Sequence, residues 1–212
     1  TARRVEKFYR RESSVIYPPV EAKALSVKRK VEISPYFLSV GRLTYAKRVD
    51  LAIRVCNALN VPLKIVGVGK EERYLRGLAS QGEALRSRNI EFLGSVSDEE
   101  LSELYAGARA LIFCALDEDF GIVPVEAMAH GVPVIALGQG GVLETVIDGK
   151  TGVLFSEPTV ESLTAGLSRF ISIRRDWSVG CRRKAKKFDT TRFKAEIKEF
   201  VKKSTKKVAM RF

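Results

Sequence analysis

The sequence has little of what metal centres, disulfide frameworks and membrane spans require. Its 212 residues include one histidine, His130, and three widely spaced cysteines, Cys56, Cys114 and Cys181. A single histidine excludes any mechanism that needs two, and the cysteine spacing fits neither a zinc site nor a disulfide framework. No apolar run approaches the roughly 20 residues of a membrane-spanning helix. We therefore expect a soluble globular protein in a reducing, cytoplasmic setting.

Acidic residues are also scarce relative to basic ones. The chain has 37 Lys and Arg against 25 Asp and Glu, a net charge of +12. This excess favours polyanions, anionic lipid surfaces or phosphorylated ligands as partners. Much of it lies in four runs, at residues 3–11, 27–32, 182–187 and 202–207. Such runs are most often solvated helix faces or tails. Because no nucleic-acid-binding motif accompanies them, we expect no specific nucleic-acid partner.

What the chain does have is a regular alternation of short apolar runs and helical patterns. Segments rich in Val and Ile predict strands at residues 15–20, 36–41, 63–69, 90–96, 110–116, 132–138 and 151–155. Helical periodicity occupies the intervals, for example residues 47–59 and 70–87. Strands without polar alternation, separated by helices, are typical of a parallel sheet covered on both sides. The sequence thus predicts a doubly wound, Rossmann-like α/β domain.

Several helix boundaries are marked by capping residues. Ser97 and Glu100 form the two ends of a capping box. The helix that follows places Leu101, Leu104, Tyr105 and Ala108 along one face. Beyond residue 170 the pattern becomes helical and basic, and a terminal helix is predicted to begin near residue 190.

In open α/β sheets, ligands bind at the loops beyond the carboxyl ends of the strands. The first such loop, GRLTYAK, carries Gly41, Arg42 and Lys47. Glycine allows a close backbone turn, Arg42 can fork onto two phosphate oxygens, and Lys47 adds a point charge. The pair suits a diphosphate, although two ordinary surface cations would give the same spacing.

Two further loops are rich in glycine. Gly67 and Gly69 follow a strand but lack the third glycine of a dinucleotide fingerprint and the lysine-threonine pair of a P-loop. We expect them to leave room for a flat base or a ribose. Gly140 and Gly141 precede a helix, where open backbone N–H groups would favour a phosphate.

The stretch DEDFGIVPVEAMAHGVP, residues 117–133, crowds acids together. We predict a helix over 124–130, with Pro124 at its first position and His130 closing it as a cation near the carboxyl end rather than as a catalyst. Glu118 would lie on the approach loop and Glu126 at the third helical position, both facing one mouth. Free N–H groups near Gly121 would favour an anion there.

Each acid also has a simpler interpretation. Glu126 could be an acid favoured by the helix dipole, and residues 117–119 could be a solvated loop. The run Asp117-Glu118-Asp119 has the form of a metal-binding DxD motif, but neither a histidine nor a second acid cluster is near it in sequence.

Glu118 and Glu126, separated by seven residues, resemble the E-x7-E element of retaining glycosyltransferases of the GT-B fold, in the large family 4 group. Segments at 15–20, 39–53, 63–69, 90–121 and 140–155 follow the order of that family. The resemblance covers roughly residues 15–200 and only the C-terminal, nucleotide-sugar-binding half of such enzymes. It implies a retaining transferase that needs no metal and no other cofactor, with a nucleotide-diphospho-sugar as donor.

The resemblance also implies a role for each matching residue. Arg42 and Lys47 would hold the diphosphate, Glu118 would contact hydroxyls of the transferred sugar, and Glu126 would bind the ribose. The backbone of the remaining donor-site residues would line the pocket, and these are Gly41, Gly67, Gly69, Ser95, Val96, Phe120, Gly121, Ile122, Gly140 and Gly141. One departure is Asp119, which stands where the family usually has glycine.

The resemblance divides the chain into three parts. Residues 1–14 would be an inter-domain segment after a missing N-terminal domain, 15–187 the donor domain, and 188–212 a helix and basic tail that crosses back. We expect a fragment that binds donor but transfers little or no sugar, its glycan or lipid-linked acceptor being held by the missing domain. VIYPPV favours mannose from GDP-mannose, and the basic surface is compatible with peripheral contact at the inner face of the cell membrane.

Two other readings of the residues remain open. A nucleotide-sugar epimerase or a phosphorylase would share the fold. A non-catalytic polyanion-binding protein would account for the charge alone.

Overall fold

Six short strands form one parallel sheet in the computed structural model, which describes residues 2–20, 36–81 and 89–209. The strands are β1 (Phe37–Val40), β2 (Leu63–Val66), β3 (Ile90–Gly94), β4 (Ala110–Phe113), β5 (Val134–Leu137) and β6 (Gly152–Phe155). Their order across the sheet is β3-β2-β1-β4-β5-β6, and every neighbouring pair is parallel. The predicted doubly wound α/β fold is confirmed.

The burial of the strands explains why their sequences are continuously apolar, without alternating apolar and polar residues. All four residues of β4 and all four of β5 are buried. Since successive side chains of a strand point to opposite faces, helices must cover both faces of the sheet at its centre. The edge strand β3 is only partly buried and places Glu91 beside Lys64 of β2, 3.2 Å between Oε2 and Nζ.

Helices occupy the intervals between the strands and both ends of the described chain. They are α1 (Ala2–Tyr9), α2 (Val49–Ala58), α3 (Glu72–Ala79), α4 (Asp98–Gly107), α5 (Ile122–Ala129), α6 (Val142–Thr145), α7 (Val160–Ser172), α8 (Ser178–Ala185) and α9 (Thr190–Ala209). Helix α2 packs against α3 and α7, and α5 packs against α8. None of the helices in the described part is long and apolar enough to cross a membrane.

Helix boundaries agree with the capping signals where those were clear. The Ser97 hydroxyl accepts from the N–H of Glu100 at 3.2 Å, and the Glu100 carboxylate accepts from the N–H of Ser97 at 2.8 Å. The terminal helix α9 begins at Thr190, as predicted. The helix predicted over 70–87 ends at Ala79, and residues 82–88 lie outside the described part of the chain, as does the basic run 27–32.

The strand predicted at 15–20 is wrong. Residues 15–19 are irregular, and only Val20 forms an isolated bridge, with Asp189. Two consecutive prolines, Pro18 and Pro19, offer no backbone N–H to a ladder, which prevents this segment from joining the sheet. The N–H of Val20 instead donates to the carbonyl of Phe188 at 2.8 Å, so the two ends of the domain meet.

The strand order identifies the edge of the sheet at which a ligand is expected to bind. Strands β1 to β3 are added outward in one direction and β4 to β6 in the other, so the order of strands reverses between β1 and β4, which are parallel neighbours in the middle of the sheet. The loops that leave β1 and β4 therefore flank one crevice at the carboxyl edge, the position at which open α/β sheets bind ligands.

Candidate functional site

The loops after β1, β2 and β3 lie side by side at the carboxyl edge of the sheet. Gly41 N–H donates to Val66 O at 3.0 Å, and Leu43 N–H donates to Val68 O at 3.0 Å. Gly67 N–H donates to Gly94 O at 2.7 Å. The structure thus brings together the predicted residues Gly41, Gly67 and Gly69 and the stretch that leads to Ser95 and Val96.

The structure gives a different reason for glycine at positions 67 and 69 from the one predicted. A Cβ at Gly67 would lie 2.0 Å from the carbonyl oxygen of Gly41, and one at Gly69 would lie 2.2 Å from that of Leu43. Gly67 also has a positive φ of 127°. The space left by the missing side chains is filled by the backbone of the first loop, so the expected room for a base or ribose is not at these two Cα atoms.

Gly140 and Gly141 make the same kind of contact with the acidic loop. A Cβ at Gly140 would lie 2.5 Å from the carbonyl oxygen of Glu118, and one at Gly141 would lie 2.4 Å from that of Asp119. The N–H of Gly141 donates to Glu118 O at 2.7 Å. That donor is therefore occupied, which corrects the expectation that it is open to a phosphate. The contact fixes the backbone that carries Glu118.

The predicted diphosphate cation and the predicted sugar-binding acid are in direct contact. Lys47 Nζ lies 2.6 Å from Glu118 Oε2, and both side chains are partly exposed. Lys47 sits at the end of the 3-10 turn Tyr45–Lys47, and the N–H of Leu116 donates to Ala46 O at 2.8 Å. The loops after β1 and β4 are thus joined twice, and Lys47 and Glu118 are 71 residues apart in sequence.

Arg42, the second predicted cation, is exposed, and no carboxylate pairs with it among the described residues. Arg48, which the sequence did not single out, does have an acidic partner. It adopts a positive φ of 47°, and its guanidinium meets both carboxylate oxygens of Asp50, at 3.0 and 3.1 Å. This bidentate pair anchors the end of the loop that presents Lys47, whereas Arg42 has no such acidic partner among the described residues.

The helix after the acidic loop begins earlier than predicted. It spans Ile122–Ala129, with Gly121 at the N-cap in the left-handed region at φ 80°. Pro124 is the third helical residue rather than the first, a position where its missing N–H has no intrahelical acceptor to lose. Gly121 provides no side-chain cap, so the N–H groups of Ile122 and Val123 remain uncapped at the helix start. These two N–H groups are the ones that the predicted anion site would use, and that site stays a prediction.

Glu126 is the fifth residue of α5, not the third, and lies outside its first turn. Its Oε2 accepts from the hydroxyl of Tyr105, with 3.1 Å between the oxygens. Burial raises the pKa of Glu126, the bond from Tyr105 opposes that rise, and the nearby charge of Asp98 adds to it. A favourable helix dipole thus does not explain this acid. Glu126 is bonded to Tyr105 and Glu118 to Lys47, so no described contact links the two acids. That both acids face one ligand site remains a prediction.

His130 is a neutral structural residue rather than a cation at the end of α5. The residue is 4% exposed, and burial lowers the pKa of the imidazole. Its Nδ1 lies 2.9 Å from Glu126 O and its Nε2 lies 3.0 Å from Ser102 Oγ. The positive charge at this helix end comes from Arg182, whose guanidinium donates to Ala129 O and His130 O at 3.2 and 3.1 Å.

A cleft of about 800 Å³ opens beside the acidic loop. Residues 117–120, 140–141 and 143–144 form one side, and residues 13–18 with α1 form the other. Tyr17 packs its ring against Phe120, 5.4 Å between centroids, and its hydroxyl donates to Glu144. The cleft is large enough for a sugar nucleotide and includes Glu118 in its lining.

Within residues 2–20, 36–81 and 89–209, no three His, Cys, Asp or Glu side chains are grouped to hold a metal ion. The three acids at 117–119 are no exception, because Glu118 pairs with Lys47 instead. The expectation that the reaction uses no metal is left as a prediction.

A model of the family described as glycosyl transferases group 1 matches residues 21–188. An uncharacterized glycosyltransferase of Methanocaldococcus jannaschii is 35% identical over 145 residues, which are 66% of this chain and 36% of that protein. The alpha-1,3/1,6-mannosyltransferase ALG2 of Dictyostelium discoideum is 32% identical over 163 residues, 68% of this chain and 39% of that protein. The glycogen synthase of Thermus thermophilus is 34% identical over 146 residues, 66% of this chain and 32% of that protein. The chain thus spans about a third of the length of these relatives.

Solved structures share the fold at lower identity. A glycosyltransferase from Rickettsia africae superposes with a TM-score of 0.81 at 19% identity, covering 95% of this chain and 60% of that one. The pneumococcal O-GlcNAc transferase in complex with UDP and GlcNAc superposes with a TM-score of 0.77 at 18% identity, covering 95% of this chain and 42% of that one. At these identities the likeness concerns the fold, which is that of GT-B glycosyltransferases.

Proposed function

Because the chain belongs to the glycosyl transferases group 1 family, we propose that it is the donor-binding domain of a retaining glycosyltransferase. The observation that carries the proposal is the contact of Lys47 with Glu118, 2.6 Å, across the crevice between the loops after β1 and β4. In the proposal Lys47 is a cation for the diphosphate and Glu118 an acceptor for sugar hydroxyls, at the sheet edge where open α/β folds bind ligands. A nucleotide-diphospho-sugar requires both groups at adjacent positions.

In the proposed reaction the bond between the sugar and the diphosphate breaks, and the sugar is transferred with retention of its anomeric configuration. The departing nucleoside diphosphate gains negative charge as that bond breaks. Arg42, Lys47 and the N–H groups of Ile122 and Val123 would stabilise this charge more in the transition state than in the ground state. No metal is required by this arrangement, because fixed cations and a helix start supply the positive field.

The two acids have separate tasks in the proposal. Glu118 would accept from hydroxyls of the transferred sugar, and Glu126 would accept from the ribose hydroxyls. Since Lys47 holds Glu118 in the unliganded site, donor binding would exchange part of this ion pair for contacts to phosphate and sugar. The backbone at Phe120 and Gly121 would lie against the donor between the two acids.

For the sugar, we propose mannose from GDP-mannose. Support comes from the ALG2 mannosyltransferases among the relatives. Glycogen synthases match this chain at similar identity, so the donor panel must include a glucose nucleotide.

The acceptor would be a glycan or a lipid-linked glycan bound by a domain outside this chain, which spans about a third of the length of these relatives. We therefore propose that the chain alone binds donor and transfers little or no sugar. We place the enzyme in the cytoplasm, with a peripheral contact between its basic surface and the inner face of the cell membrane. Efficient transfer of sugar to any acceptor by the pure chain would refute the proposal that the chain alone transfers little or no sugar.

The direct test is calorimetric titration of the chain with UDP, GDP, UDP-glucose and GDP-mannose, with EDTA present throughout. We expect one nucleotide to bind at micromolar to millimolar strength without metal, and Glu126→Ala to weaken it at least tenfold. The matched control is Glu103→Ala, which removes an exposed acid from the neighbouring helix α4. Binding that follows only phosphate charge and salt would instead favour a polyanion-binding protein.

A further inference from the structure

The Glu126 carboxylate is held from a neighbouring helix. Tyr105, on the last turn of α4, donates its hydroxyl to Glu126 Oε2 at 3.1 Å and is only 2% exposed. A hydroxyl donor to a carboxylate favours its ionised form and fixes one of its oxygens in space. Glu126 would otherwise be a partly buried acid on an apolar helix with a free choice of rotamer.

The position of the Tyr105 hydroxyl is itself fixed. Its ring stacks on the imidazole of His130, with 5.1 Å between centroids and an interplanar angle of 26°. His130 Nδ1 lies 2.9 Å from Glu126 O, a carbonyl that can only accept, so Nδ1 carries the hydrogen. Nε2 then accepts from Ser102 Oγ at 3.0 Å. Both nitrogens are engaged, and the imidazole is a rigid surface for the tyrosine ring.

The second carboxylate oxygen of Glu126, Oε1, differs from Oε2 in its contacts. Among the described residues, no hydrogen bond is made to Oε1, and the residue is only partly buried. A carboxylate with one oxygen satisfied by the protein and the other open is suited to accept from a ligand hydroxyl. The protein bond decides in which direction the open oxygen faces.

We propose that Tyr105 is a positioning residue for ribose recognition, holding Oε2 of Glu126 so that Oε1 accepts from the ribose hydroxyls of the donor nucleotide. The inference rests on the proposed function, in which Glu126 is the ribose acceptor. It adds a residue from α4, and through it Ser102 and His130, to a site otherwise built from loops and α5.

The experiment compares Tyr105→Phe with the unmodified chain. Each is titrated with the nucleoside diphosphate that binds best in the panel and with its 2′-deoxy and 3′-deoxy analogues. We expect Tyr105→Phe to weaken ribonucleotide binding about tenfold, the size of one hydrogen bond to a charged group, and to change deoxynucleotide binding less than about twofold. A merely structural role would weaken all three nucleotides alike, and that result would overturn the inference.

Tyr36→Phe is the matched control. It also removes a hydroxyl from a largely buried tyrosine, here bonded to Leu104 O at 2.7 Å, but beside the amino end of β1. We expect it to bind all three nucleotides as the unmodified chain does. If Tyr105→Phe does not fold, Ser102→Ala replaces it, because freeing His130 Nε2 should give the same ribonucleotide-specific loss at about two- to threefold.

Two failures can be told apart with Glu126→Ala. If Glu126→Ala weakens ribonucleotide binding but Tyr105→Phe does not, the inference on Tyr105 is overturned and the proposed function stands. If the unmodified chain binds no nucleotide, or Glu126→Ala binds the ribonucleotide as well as the unmodified chain does, the proposed ribose role of Glu126 fails, and the inference fails with it.

Discussion

Lys47 and Glu118 neutralise each other in the unliganded site, with 2.6 Å between Nζ and Oε2. In the proposed function both charges are needed by the donor, the cation by its diphosphate and the acid by its sugar. A nucleoside diphosphate without a sugar would use only the cation. At the scale of single residues, this ion pair therefore couples the binding of the two halves of the donor.

We predict that Glu118→Gln strengthens the binding of a nucleoside diphosphate about two- to fivefold, because Lys47 is released while a partly exposed ion pair contributes little itself. The gain should be smaller for the nucleotide-sugar, which loses an acceptor for its hydroxyls. Calorimetry on both ligands measures the difference. Glu72→Gln, which breaks the exposed pair with Arg76 on α3, should change neither affinity. Weaker binding of the nucleoside diphosphate by Glu118→Gln would contradict this account of the pair.

His130 gives a prediction for pH. Burial lowers the pKa of its imidazole in the folded chain below the unperturbed value of about 6.5. Above that value both folded and unfolded chains hold it neutral, and stability is complete. As the pH falls below it, the unfolded chain takes up the proton first, so this contribution to stability is lost.

We therefore expect the melting temperature of the unmodified chain to fall by a few degrees more between pH 7.5 and 5.5 than that of His130→Asn. The variant should be less stable at pH 7.5, since it loses the stacking on Tyr105. Thermal unfolding followed by circular dichroism at both pH values is the measurement. Equal pH dependence of the two proteins would show that folding does not change the pKa of the imidazole, which would contradict the effect of burial.

At the scale of elements, glycines decide how closely the loops after the strands approach one another. A Cβ at Gly69 would lie 2.2 Å from Leu43 O, and one at Gly141 would lie 2.4 Å from Asp119 O. In both cases the neighbour is backbone, which cannot move aside as a flexible side chain can. The packing of these loops, rather than a ligand, accounts for glycine at both positions.

Gly69→Ala should thus destabilise the chain by about 3 kcal/mol, at the upper end of overpacking costs, because the loop after β1 must shift. Gly77→Ala is the matched control: its Cβ would meet nothing within 4 Å on the exposed face of α3. This change should stabilise by about 0.5–1 kcal/mol through helix propensity. Urea unfolding of the three proteins compares the effects, and a near-neutral Gly69→Ala would contradict the contact.

At the scale of the whole molecule, the two ends of the domain are held together beside the site. The rings of Tyr17, Phe120 and Phe188 form a triangle with centroids 5.3 to 5.6 Å apart. Arg192 of α9 donates to Tyr17 O at 2.7 Å. The segment around Tyr17, the acidic loop and the start of α9 therefore form one packed unit.

Replacing Tyr17 should loosen this unit. We expect Tyr17→Ala to speed hydrogen exchange of the Val20 N–H, which donates to Phe188 O, about tenfold, because the ring contacts that hold the segment are lost. Tyr17→Phe keeps the ring and loses only the bond to Glu144, so its exchange should stay close to that of the unmodified chain. Exchange measured over residues 15–20 by mass spectrometry reports on both variants. Unchanged exchange in Tyr17→Ala would show that Val20 and Phe188 hold the segment without the ring.

The sequence by itself determined the six strands of the sheet, the presence of the main helices and the family. Local patterns of residues a few positions apart can be recognised without a structure. They include the buried strands, the capping box at Ser97 and the start of α9. Local rules failed where two signals competed. Val15 and Ile16 favoured a strand that the following prolines prevent, and Pro124 suggested a helix start that Gly121 places two residues earlier.

The tertiary structure alone decided which residues meet. Lys47 and Glu118 are 71 residues apart, and Tyr105 and Glu126 are 21 apart. Only the strand order β3-β2-β1-β4-β5-β6, which places β1 beside β4, brings the first pair into contact. The neutral state of His130 likewise follows from burial by neighbours distant in sequence. Periodicity and capping act over one or two turns of chain, whereas charge pairing and desolvation depend on the packing of elements that the sheet brings together.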